Sequence, residues 1–107
     1  MNKVINKNLL AEEIIQFRDE RNWEKYHTPA NLAKSISIEA AEFLELYQWS
    51  DSANIDRVKE ELADILIYSI TLAERLGLSI NSIILKKIKK NGIKYANYAN
   101  NEKLKLK

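Results

Sequence analysis

A chain of 107 residues with 46% apolar and 30% charged side chains suits one globular domain of ordinary composition. With no cysteine, two glycines and one proline, it excludes disulfides and thiolate metal sites, and it predicts an all-α fold with few tight turns. The net charge of +2 hides a segregation: residues 39–64 hold eight acids against two bases, and residues 86–107 hold eight lysines against one acid.

The chain opens on Met1–Asn6, a polar lead without a signal-peptide core, and no apolar run approaches the ~20 residues that span a bilayer. A cytoplasmic protein of one domain, residues 1–107, is expected. The first helix is predicted from Asn8 to Arg21, with Leu10, Ile14 and Phe17 on one face. The segment Asn22–Thr28 that follows is dense in aromatics and reads as a loop. Thr28 is a good N-cap and Pro29 a good first helical residue, so a second helix should run from there to about Trp49.

The polar connection Ser50–Asn54 can cap a third helix, Ile55 to Leu76, which stops at Gly77. Ser79 can cap a fourth, Ile80 to about Lys90, with Gly92 breaking or bending it. The Asn- and Lys-rich residues from Asn97 onward are expected to fray. The third helix is apolar nearly all round between Ile65 and Ala73, more than one face of a small bundle needs. Another subunit is the natural cover, and a homo-oligomer, dimer or tetramer, is expected. A central helix in a compact monomer would have the same pattern.

The chemistry concentrates on two acid-x-x-acid pairs. Glu39 and Glu42 lie beside the stripe Ile36, Ala40, Phe43, Tyr47, and Glu61 and Asp64 repeat the pattern on the next helix. Carboxylates beside an apolar face repel and lose solvation unless a positive charge offsets both effects. If the two helices face each other, four carboxylates converge into a hard-cation site, and Mg2+ prefers such oxygen ligands. One Glu-x-x-Glu on a helix is commonly a solvated face paired with lysines; two such pairs, each flanked by β-branched or aromatic residues, are less easily explained that way.

A di-iron bundle needs Glu-x-x-His on two helices, and a single histidine allows one at most, Glu24 to His27. Nucleophilic catalysis finds no Cys and no Ser context for His27. Trp23, Tyr26, His27, Trp49 and Tyr68 are candidates for holding an organic ring, against a bland reading as core packing. Lys87, Asn91, Lys94 and Tyr95 are either a solvated basic face or phosphate contacts. Two other classes compete: a non-catalytic helical interaction protein, and a nucleic-acid-binding module using the Lys-rich end, which the central acids disfavour.

The segment Phe17–Leu32, with Trp23-Glu24-Lys25-Tyr26-His27 at its centre, resembles the entry segment of MazG-like nucleotide pyrophosphohydrolases. The nearest likeness is to the dCTP pyrophosphatase branch. Glu39/Glu42, Glu61/Asp64, Gln48-Trp49, Asp64–Tyr68 and Lys87…Asn91-x-x-Lys94-Tyr95 follow in register, over about residues 11 to 96. Ala96 replaces a common proline, and Ile14 stands where a relative has a substrate-touching histidine.

The resemblance implies an all-α, four-helix MazG-like bundle that dimerises or forms a dimer of dimers, and Mg2+-dependent hydrolysis of a nucleoside triphosphate to monophosphate and pyrophosphate. It implies Glu39, Glu42, Glu61 and Asp64 as Mg2+ ligands and catalytic residues. Trp23, Glu24, Lys25, Tyr26, His27, Trp49 and Tyr68 would line the base and sugar pocket, with Lys87, Asn91, Lys94 and Tyr95 on the phosphates. The expected partners are a (deoxy)nucleoside triphosphate and further copies of the chain, with no membrane or nucleic acid. The role implied is removal of dCTP-like, surplus or non-standard deoxynucleotides.

Overall fold

The computed structural model describes residues 7–96, so the expected fraying from Asn97 onward and the Met1–Asn6 lead lie outside the described residues. The described residues form four α-helices: α1 Lys7–Glu20, α2 Pro29–Glu45, α3 Ile55–Arg75 and α4 Ile80–Lys94. No strand occurs among them. The all-α expectation holds. A short 3-10 turn, Glu24–Tyr26, occupies the segment read as a loop.

Local chemistry sets most of the boundaries. Asn22 ends α1 in the left-handed region at φ 59°, and two backbone bonds close the end: Trp23 N–H to Arg18 at 3.1 Å and Asn22 N–H to Asp19 at 3.0 Å. This is a Schellman motif, in which the residue after the left-handed one folds its side chain back onto the last turn. Trp23 does so, meeting Phe17 edge-on with ring centroids 5.7 Å apart. Arg21 covers the other side of the Phe17 ring, its guanidinium carbon 3.5 Å from the centroid.

Thr28 caps α2 by accepting from Asn31 N–H at 3.1 Å, with Pro29 in the first turn. Asn54 caps α3 by accepting from Asp56 and Arg57 N–H. Gly77 terminates α3 at φ 70°, as expected. Ser79 caps α4 through Ser82 N–H at 3.2 Å.

Two boundaries differ from expectation. α2 stops at Glu45 and does not reach Trp49. The N–H groups of Leu46, Tyr47 and Gln48 reach back three residues rather than four, at 3.1, 2.9 and 3.2 Å, so the helix tightens and unwinds before the tryptophan. α4 runs through Gly92 to Lys94. A glycine inside a helix costs ~1 kcal/mol relative to alanine, a tax on stability that need not interrupt the hydrogen-bond ladder.

The described residues divide after Gly77 into two compact units. In the first, α2 and α3 pack along each other and α1 leans on α3. Leu32, Thr71 and Ala73 are its buried residues among those described. Thr71 satisfies its hydroxyl within the helix, donating to Ile67 C=O at 2.7 Å. Much apolar surface stays uncovered, including Leu62, Leu66 and Ile67 on α3. In the second unit, α4 exposes Ile83, Ile84 and Leu85 ahead of its lysines and Ile88 among them. No helix among the described residues is long and apolar enough to cross a membrane.

Candidate functional site

The α2–α3 seam carries the acids. Glu39 points from the middle of α2, while Glu61 and Asp64 lie one turn apart on α3. One oxygen from each of the three falls within 4.8 Å of the others. Glu39 Oε1 and Glu61 Oε1 are buried and have no hydrogen-bond partner. Buried carboxylate oxygens are ordinarily satisfied, and leaving them bare is costly. Loss of water raises the pKa of Glu39 above its ordinary value, followed by the negative charges of Glu42, Asp64 and Glu61.

This donor set consists of oxygen alone, it is crowded with negative charge, and two of its atoms want a partner. Those are the properties of a hard-cation site. The three carboxylates therefore fit a divalent ion. Glu42 stands outside the tight group, near enough for its charge to bear on Glu39. Of the four acids expected to converge, the structure brings together three.

Beside Asp64 opens a cavity of about 260 Å³ lined by Ile14, Phe17, Arg18, Trp23, His27, Asp64, Ile67, Tyr68 and Thr71. Its walls come from α1, the turn after it and α3. On α3, Asp64, Tyr68 and Thr71 follow at helical spacing, which puts an acid, a phenol and a small buried residue on one side. Trp23 is brought over the cavity by the Schellman end of α1. Arg75, at the end of α3, pairs with Glu24 at 3.2 Å and ties the 3-10 turn to that helix. The pair is partly exposed, so it orients the turn more than it stabilises it.

His27 Nδ1 is buried without a partner. Its pKa lies below the usual value because burial removes water, with the positive charges of Arg18 and Arg75 adding to the effect. The imidazole is therefore held neutral, with one nitrogen able to accept a hydrogen bond.

The other expected site residues are placed elsewhere. Glu24 is engaged by Arg75, and the Lys25 ammonium lies 5.3 Å from the centre of the Tyr26 ring. Neither Tyr26 nor Trp49 lines the cavity. Trp49 is 89% exposed in the connection after α2. Lys87, Asn91 and Lys94 belong to α4 in the second unit and Tyr95 is its C-cap, and Lys87 shares a groove with Lys86, Lys89 and Lys90.

Sequence reasoning missed Arg18, whose side chain is only 12% exposed inside the cavity, and Thr71. A signal existed for Thr71, which is seven residues after Asp64 and on the same face of its helix.

The MazG-like family model matches residues 34–105, which contain both acid pairs and all of α4. Among curated proteins, dCTP pyrophosphatase 1 of Rattus norvegicus is 32% identical, over 75% of this chain and 53% of its own length. The protein of the same name from Homo sapiens is also 32% identical with the same coverage. The chain spans about half the length of these curated relatives. A crystal structure of a pyrophosphatase from Archaeoglobus fulgidus is similar at a TM-score of 0.80 and 38% identity, covering 89% of this chain and 96% of that one. By its acid pairs, its helical order and these likenesses, the chain belongs to the MazG-like family.

Proposed function

We propose that this chain is a Mg2+-dependent nucleoside triphosphate pyrophosphohydrolase, converting a deoxynucleoside triphosphate and water to the monophosphate and pyrophosphate, with dCTP or a close analogue among its best substrates. The observation that carries this reading is the convergence of Glu39, Glu61 and Asp64 within 4.8 Å, beside a cavity walled by Trp23, His27 and Tyr68. The dCTP pyrophosphatases among its relatives support the substrate class.

Glu39, Glu61 and Asp64, with Glu42 alongside, would hold Mg2+. When bound there, Mg2+ would neutralise triphosphate charge, orient the chain of phosphates and acidify a water molecule. The water oxygen bonds to the α-phosphorus while the bond from that phosphorus to the bridging oxygen breaks, and pyrophosphate leaves with that oxygen. Glu42 or Glu45, outside the tight group, accepts the proton from the water. Trp23 and Tyr68 present flat faces to the base, and stacking of this kind contributes ~1–3 kcal/mol per base.

The working form in this reading is a homo-oligomer, dimer or tetramer. Its support is the exposed apolar surface of α3 around Leu66, which is 51% exposed in the single chain. The deciding experiment is a panel of nucleoside triphosphates with Mg2+ scored for pyrophosphate release. Release from dCTP is expected; no release from any member of the panel rejects the reading.

A further inference from the structure

Arg18 is the one charged side chain on the α1 wall of the cavity, and nothing in the proposed chemistry yet uses it. Its Nε donates to Asp19 Oδ1 at 2.9 Å, and its Nη2 reaches the same oxygen at 2.9 Å. That grip fixes the guanidinium plane and leaves donors on Nη1 and Nη2 for a ligand. Opposite charge on Asp19 also moderates its pull on a polyanion. Its surroundings suit a flat ring: Ile14, Phe17, Trp23 and Tyr68 supply apolar and aromatic wall, and His27, which also lines the cavity, has its Nδ1 buried without a partner.

We propose that Arg18, with His27, reads the edge of the nucleobase, selecting a 4-aminopyrimidine over a 4-oxopyrimidine. The inference rests on the nucleotide reading of the cavity. A cytosine-type ring presents two adjacent acceptors, the 2-carbonyl and N3, next to an exocyclic amine. The Arg18 fork donates to the two acceptors, and the amine donates to His27 Nδ1. A uracil-type ring carries a hydrogen on N3 and a carbonyl at position 4, so a donor meets the Arg18 donor and an acceptor meets Nδ1.

Histidine can relieve its half of that clash by moving a proton between its nitrogens. Arginine cannot, because no form of it accepts a hydrogen bond. Arg18 is therefore the stricter reader of the two. Sites built on hydrogen bonds reject an analogue that leaves them unmatched far more strongly than apolar pockets reject a changed shape.

The test uses the full chain, with kcat/KM for dCTP and dUTP in Mg2+ and, independently, calorimetric binding of dCMP and dUMP without metal. Arg18→Gln, Arg18→Lys and His27→Asn are compared with wild type after circular dichroism shows each folded. Wild type should favour the cytosine nucleotide by about 100-fold or more. Arg18→Gln, whose amide can donate or accept, should cut that ratio by about tenfold or more, mainly by losing dCTP and dCMP. Arg18→Lys should keep the sign of the preference at a smaller ratio, since it keeps donors without the fork.

An equal loss for both bases would make Arg18 a phosphate or folding residue and overturn the assignment. A ratio unmoved by either Arg18 variant overturns it as well. Absence of turnover with every triphosphate rejects the pyrophosphohydrolase reading alone, since the monophosphate binding ratio still decides whether Arg18 reads the base.

Discussion

Glu39 and Glu61 face each other across the α2–α3 seam, each with one carboxylate oxygen buried and without a partner. Either charge is tolerable alone; together with Asp64 they burden the fold. Removing one should therefore help the metal-free protein and ruin the metal site. Glu39→Gln and Glu61→Gln are expected to raise the metal-free Tm by a few degrees. Each should lower Mg2+-supported turnover by at least ~100-fold, since even outer-shell changes at metal sites cost 10–100-fold. Scanning calorimetry and a pyrophosphate assay at saturating Mg2+ check both arms, and a variant retaining most of its activity does not carry a metal ligand.

The same crowding sets a pH dependence. Glu39 titrates above its ordinary value of 4.5, so the folded state holds that proton more tightly than the unfolded chain does. Its contribution to stability is full below 4.5 and is lost as pH rises through the raised value. His27 works in the opposite sense. Its pKa is depressed from 6.5, so its contribution is present above 6.5 and is lost as pH falls through the lowered value. Mg2+ needs the carboxylates ionised, so it should abolish the loss on the Glu39 side and release protons on binding near that pKa. Thermal melts across pH with and without Mg2+ test this; identical profiles would mean that the ion binds elsewhere.

Much of the fold is legible because capping is local. Thr28-Pro29, Asn54, Gly77 and Ser79 each act within a few residues, and each marks the end it was expected to mark. The end of α2 is harder to read, since no glycine or proline follows Glu45 and the apolar spacing runs on through Tyr47. Gly92 misleads in the other direction, a local signal overridden by the rest of its helix. In the site, Glu39, Glu61 and Asp64 stand out as acids interrupting an apolar stripe. Arg18 does not, because an arginine beside an aspartate on a polar helix reads as a solvated pair. Its burial depends on α3 and on Trp23 folding back, which spacing within α1 does not reveal.

The two tryptophans separate binding from folding. Trp23 lines the cavity and Trp49 is 89% exposed, so Trp49→Ala should leave Tm nearly unchanged. Stacking is present in ground state and transition state alike, so Trp23→Ala should raise KM more than it lowers kcat, while Trp49→Ala, outside the cavity, should change neither. Steady-state kinetics with dCTP decide it. A raised KM for Trp49→Ala would bring that residue into the pocket, and an unchanged KM for Trp23→Ala would take that one out.

The uncovered face of α3 predicts an assembly. Sedimentation at micromolar concentration should show a dimer or tetramer, and Leu66→Glu, which places a charge on the exposed stripe, should shift it toward monomer. A wild-type chain that is monomeric and active over that range would refute the assembly.

The last prediction concerns Asn22, whose left-handed backbone turns the chain so that Trp23 lies back over Phe17. Asparagine tolerates this conformation better than most residues, and glycine tolerates it best. Asn22→Gly should therefore match wild type within ~0.5 kcal/mol, the ordinary range for a benign surface change. Asn22→Val puts a β-branched side chain where Cβ crowds the following carbonyl, at a cost of ~1–2 kcal/mol. Relieving that strain means opening the Schellman turn and losing the Trp23–Arg18 backbone bond at 3.1 Å. The cavity would lose one wall, so Asn22→Val should raise KM for dCTP with a smaller change in kcat, while Asn22→Gly keeps both. Urea melts and kinetics on the two variants give the comparison. Equal KM values across wild type, glycine and valine would mean that the turn does not position Trp23 for substrate.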